Sequence, residues 1–150
     1  MEALKSAVFT HCESFLRQKA NDYLAQDQSL LEALDSEGKS SAGDKHETGR
    51  AMIQLEREKL AQQRERNDQD LKTLGSLKNR ATSAQIAPGA LVHTSLASYF
   101  LAVPADAFSH HPKNIYCISP QSPIGQLLLG KKPGESFSFR GNDIEILEVI

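Results

Sequence analysis

The sequence predicts an α+β protein: an N-terminal antiparallel helical hairpin, then an antiparallel β domain with one short helix. Three observations predict it. Residues 1–80 hold 27 of the 36 Lys, Arg, Asp and Glu side chains and no proline. All six prolines lie in residues 81–150, beginning at Pro88. Apolar spacing also changes, from alternating threes and fours to short alternating runs. The shift near residue 80 divides the chain into domains 1–80 and 81–150.

In the first arm, Phe9, Cys12, Leu16, Lys19, Tyr23, Gln26, Leu30 and Ala33 form a heptad-like seam,. Val8, Phe15, Leu31 and Leu34 widen it. A breaker follows over Ser36-Glu37-Gly38-Lys39-Ser40-Ser41-Ala42-Gly43,. A second helix is expected from about residue 44 to about residue 80. Ile53, Leu60, Asn67 and Leu74 recur every seven residues along it, with Leu71 and Leu77 adding to the stripe. Its middle, 61–70, is almost wholly polar, and the Arg57 to Arg66 stretch reads as a solvated face,. Two such helices joined by a short loop lie antiparallel and protrude, each about 50 Å long at 1.5 Å per residue.

The second half predicts strands over 90–94, 98–103, 114–118, 135–140 and 143–149. Ser136-Phe137-Ser138-Phe139 alternates, so one of its faces is buried,. Gly141-Asn142 is expected to turn the last two strands into a hairpin,. Ser122, Pro123 and Gly130 mark the N-cap, N1 and C′ positions of a short helix,.

Composition excludes several classes. The formal charge of −2, from 17 basic and 19 acidic side chains, is too balanced for binding nucleic acid or anionic membrane by bulk charge,. No apolar run approaches the ~20 residues of a membrane span. The start, Met1-Glu2-Ala3-Leu4-Lys5, lacks the apolar core of a secretory signal,. Cys12 and Cys117 are too few for a disulfide framework or a zinc site and read as core thiols,. The expectation is a cytoplasmic, reduced protein. His110-His111 reads as an ordinary loop. The second half carries six aromatic side chains and no Trp, little for an aromatic-lined proline pocket. No convergent nucleophile–base set or phosphate-binding glycine loop marks a small-molecule enzyme.

Ser122-Pro123-Ile124-Gly125-Gln126-Leu127-Leu128-Leu129-Gly130-Lys131-Lys132-Pro133-Gly134 closely resembles the C-terminal domain of the Gre transcript-cleavage factors. The ending Ile144-Glu145-Ile146-Leu147-Glu148-Val149 resembles that domain's last strand. Gly43-Asp44-Lys45-His46-Glu47 has the Gly-Asp-x-x-Glu spacing of the family's coiled-coil tip, at the tip already located by periodicity. The resemblance implies an FKBP-like second domain and a bacterial RNA polymerase partner. It implies an accessory factor, not an enzyme by itself. The coiled coil would enter the secondary channel near the nascent RNA. Asp44 and Glu47 would help hold a Mg²⁺ that belongs to the polymerase complex, the chain needing no cofactor alone. Gln121, Ser122, Pro123 and Ile124 are the expected contact with the channel rim. Asp44 and Glu47 also read as a capping-box-like pair at a helix start. Asp35 and Glu37 read as solvated loop charge. Lys45, His46 and Arg50 make the tip less acidic than in the family. Two alternatives stay open: a channel-binding regulator without cleavage, and an FKBP-like peptide-binding module.

Overall fold

The absence of proline before residue 88 leaves the first helices free to run long, and they do,. A computed structural model describes residues 2–38, 43–112 and 114–150, of which 38 and 43–46 by backbone alone. It is α+β: two long helices, then a six-stranded, mostly antiparallel sheet. Helix α1 spans Glu2–Gly38 and α2 spans Gly43–Leu77. Ser36, Glu37, Gly38 and Gly43, expected in the breaker, are helical. The rest of the breaker, residues 39–42, lies outside the described residues. By packing, the chain forms two compact units, Met1–Leu16 with Asp70–Ile150, and Arg17–Gln69. These units are cut differently from the compositional break near residue 80.

Within Arg17–Gln69, α1 and α2 run antiparallel, with Asp27 against Arg57 and Glu37 against Gly49. On α2 the expected seven-residue series holds: Ile53 is half-buried, and Leu60 and Asn67 are 4% exposed. On α1 the seam drifts. Gln26 and Ala33 are exposed, and Asp27 and Leu34 are half-buried in their place. A straight helix turns every 3.6 residues, so a strict 3.5 spacing slips off its face after a few turns. The solvated reading of Arg57 to Arg66 is corrected at two positions. Arg57 and Arg64 are half-buried and both reach Asp27: Arg57 Nε donates to Oδ1 at 2.9 Å, and Arg64 Nη1 lies 3.8 Å from Oδ2.

The other unit holds the sheet. Its strands are β1 (Leu91–Thr94), β2 (Ser98–Leu101), β3 (Ala105–Phe108), β4 (Ile115–Ile118), β5 (Ser136–Phe139) and β6 (Asn142–Val149). Their order is β3-β4-β2-β1-β6-β5, with β2 and β4 parallel and the other pairs antiparallel. One face is covered by Val8, Phe9, Cys12 and Leu16 of α1 with Leu74 and Leu77 of α2. These side chains pack on Leu91, Phe100, Ile115 and Cys117, the Phe9 ring meeting Phe100 edge-on at 4.8 Å. The opposite face gathers Val92, Tyr99, Leu101, Phe137, Ile144 and Ile146 under Leu128 of helix α3 (Pro123–Leu128). Strand β2 is therefore buried at every residue, Phe100 pointing one way and Tyr99 and Leu101 the other,.

Five of the six strands match expectation to within two residues at either end. Strand β3 was not expected. Ala105-Asp106-Ala107-Phe108 has no β-branched residue and forms an edge, paired only with β4,. The last hairpin is also corrected. Asn142 belongs to the ladder opposite Phe139, so the turn is Arg140-Gly141. Both have positive φ, 52° and 81°, the requirement of a type I′ turn,. Helix α3 agrees with its marks: Ser122 is extended, its Oγ accepts from Gly125 N–H at 3.1 Å, Pro123 opens the helix, and Gly130 takes φ 81°. No helix among the described residues is long and apolar enough to cross a membrane.

Candidate functional site

Two regions carry the candidate residues. The first is the start of α2. Asp44 is its second residue and Glu47 follows three later, a spacing that sets both on one side of a helix,. Glu47 is exposed; the side chain of Asp44 lies outside the described residues. On α1, Glu37 is half-buried against Gly49 of α2 rather than a solvated loop charge. A Cβ at Gly49 would lie 3.1 Å from Glu37 Cδ, so glycine lets the two helices approach beside that carboxylate.

The second region is an open groove of about 350 Å³ on the sheet unit. It is lined by Tyr99, Tyr116 and Ile118 of β2 and β4, Phe139 of β5, Arg140 of the turn, and Pro123 and Ile124 at the start of α3. The topology brings these together. Parallel pairing sets Tyr99 beside Tyr116, rings 6.1 Å apart, and the turn after β5 delivers Arg140. Tyr99 is 7% exposed, and burial, with Tyr116 alongside, pushes its phenol above the usual range,. Tyr116 is 48% exposed, so much of its side chain stays at the surface. The Arg140 guanidinium lies 5.0 Å from the Phe139 ring centre, within cation–π range,.

Of the expected rim residues, Pro123 and Ile124 line this groove. Gln121 is exposed next to it, its carbonyl accepting from Gln126 Nε2 at 3.0 Å. Ser122 is engaged on both sides, donating to the Ser119 carbonyl at 2.6 Å and accepting from Gly125 N–H. Its hydroxyl therefore shapes the loop that presents Pro123. Gly125 belongs to the same device, because a Cβ there would collide with the Ser119 carbonyl oxygen. Sequence reasoning missed Tyr99, Tyr116, Phe139 and Arg140 as neighbours. Counting aromatics argued against a lined pocket, yet three of the six converge here. No local pattern in the sequence marks their meeting, which depends on strand pairing.

Elsewhere the polar groups read as structural. His93 Nδ1 lies 2.7 Å from Ser98 Oγ, a cross-strand fastening between register partners of β1 and β2. His11 Nε2 lies 2.8 Å from the Asp106 carbonyl oxygen, and its ring meets Phe108 at 5.4 Å. His110 stacks on the same Phe108 at 6.5 Å. Cys12 and Cys117 are buried free thiols that share a hydrogen bond. That bond, with burial, drives the Cys12 thiol far above its ordinary value,. Among the described residues, no three His, Cys, Asp or Glu side chains are grouped to hold a metal ion.

Comparison with known proteins finds no family model that matches the chain and no matching curated protein.

Proposed function

We propose that the chain is a Gre-like accessory factor of bacterial RNA polymerase. In this reading the α1–α2 pair is a coiled coil that enters the secondary channel, and the sheet unit is an FKBP-like domain that docks at the channel rim. Asp44 and Glu47 act at the polymerase active centre. One observation carries the reading: the Asp-x-x-Glu pair opens the second of two long antiparallel helices, in a chain that also bears the Ser122-Pro123 loop motif. The chemistry is coherent. Two-metal phosphodiester cleavage needs a second hard cation beside the first. Mg²⁺ takes oxygen ligands and keeps several waters, so one or two added carboxylates can recruit it. Helices of 37 and 35 residues, about 50 Å at 1.5 Å per residue, have the reach to deliver them to an enclosed centre,. The factor works in the cytoplasm and is not an enzyme alone.

The test is RNA cleavage by backtracked polymerase. Wild-type protein accelerates it. Asp44→Ala with Glu47→Ala lowers the stimulation at least about tenfold, the loss of roughly one ligand contact or more, while binding and helicity persist. Tight binding with no stimulation by wild type selects the channel-binding regulator instead. Failure to bind polymerase removes both.

The aromatic groove favours a second reading, a peptide-binding module of FKBP-like type. A concave apolar site with a few polar groups at its margin is a usual ligand site. Prolyl isomerase activity on a short peptide, abolished by substitution of Tyr99, would select it.

A further inference from the structure

Arg140 occupies the first central position of a type I′ turn at φ 52°. Asn, Asp or Gly is the favoured residue there, because an L side chain strains the left-handed region. Strain of this kind persists where the side chain is needed. The guanidinium stands over Phe139 at the margin of the groove, and Arg140 is the one charged residue of its lining. Among the described residues it forms no ion pair. A planar guanidinium held by an aromatic face is set up to receive a carboxylate in two parallel hydrogen bonds.

We infer that Arg140 is a specificity-determining residue of the groove, and that the partner segment docking there presents an apolar side chain next to an Asp or Glu. The apolar side chain enters between Tyr99, Tyr116 and Ile124, and the carboxylate meets the Arg140 guanidinium. Complementary charge argues for this occupant, since the groove offers an apolar wall and a single positive group. The inference rests on the polymerase reading, with the groove as the rim contact.

The experiment measures binding of the full-length chain to RNA polymerase at two ionic strengths, with thermal unfolding alongside. Arg140→Asn converts the turn to Asn-Gly, which fits type I′ better. Its melting temperature is expected to equal or exceed that of wild type, while affinity falls about tenfold, the scale of a lost charge-assisted contact. Arg140→Glu is expected to weaken binding further, and both variants to flatten its salt dependence. Wild-type binding with unchanged affinity in both variants overturns the inference and leaves the polymerase reading standing. A fall in melting temperature of Arg140→Asn that matches its loss of binding also overturns it, because the arginine is then structural. No binding by wild type sinks the reading and the inference together.

Discussion

Asp27 shows how one residue can decide what a helix pair looks like under acid. The Arg57 guanidinium, hydrogen-bonded to its carboxylate, holds Asp27 below its ordinary value, and Arg64 adds to the effect. A depressed native value stabilises the fold fully above the unfolded value of about 3.9. That contribution fades as pH falls through the lower native value. Asp27→Asn is therefore expected to destabilise the protein at about pH 6 and to converge on wild type at about pH 2. Urea unfolding at both pH values checks this; an equal gap at both would mean that charge plays no part. Removing the Asp27 carboxylate also leaves Arg57 and Arg64, two turns apart on α2, without the acid they share. Asn67, 4% exposed, is the buried polar member of the seven-residue series, between Leu60 and Leu74.

At the scale of elements, α3 depends on a glycine for space rather than for dihedral freedom. Gly125 faces the Ser119 carbonyl oxygen and the Ser122 hydroxyl that caps the helix. Gly125→Ala is expected to cost about 1–3 kcal/mol, the usual range for overpacking a tight site, measured by denaturant unfolding. The loop carrying Pro123 should shift with it, changing Tyr116 ring signals in NMR spectra. The marks of α3 were legible because each is a local rule: a cap, a proline at the first turn, a glycine beyond the end. Helices α1 and α2 were legible for a similar reason, their apolar spacing being a property of consecutive residues. Strand β3 was not, because a short edge strand without β-branched residues owes its conformation to its neighbour β4. The Arg140-Gly141 turn was not, because Gly141-Asn142 satisfies the same local rule and only the pairing of Phe139 with Asn142 chooses between them. The groove was illegible for a related reason. Its lining comes from three strands, the start of α3 and a turn, and their meeting depends on strand order.

At the scale of the whole molecule, the sheet cannot be separated from the ends of the helices. Residues 81–150 hold every strand, yet six of the side chains covering one sheet face come from residues 8–16 and 74–77. A fragment of 81–150 would expose Leu91, Phe100 and Ile115 to water. It is expected to aggregate or to give poorly dispersed amide signals, whereas a chain joining 1–16 to 70–150 through a short linker is expected to fold. Two-dimensional NMR of both fragments decides it; a well-dispersed spectrum for 81–150 would show that the helices are dispensable there. Composition placed the boundary where charge density drops. Packing places it elsewhere, because a helix can be polar over most of its length and still end in a hydrophobic foot.

The hydrogen-bonded thiols of Cys12 and Cys117 sit inside that foot, one on α1 and the other on β4. They give the molecule a native reporter. Cys12 is 0% exposed beneath that packing, so its labelling by a thiol reagent is expected to wait until α1 lifts from the sheet, and the labelling rate to count those openings,. The chain thus records its own breathing without an added dye, tag or substitution.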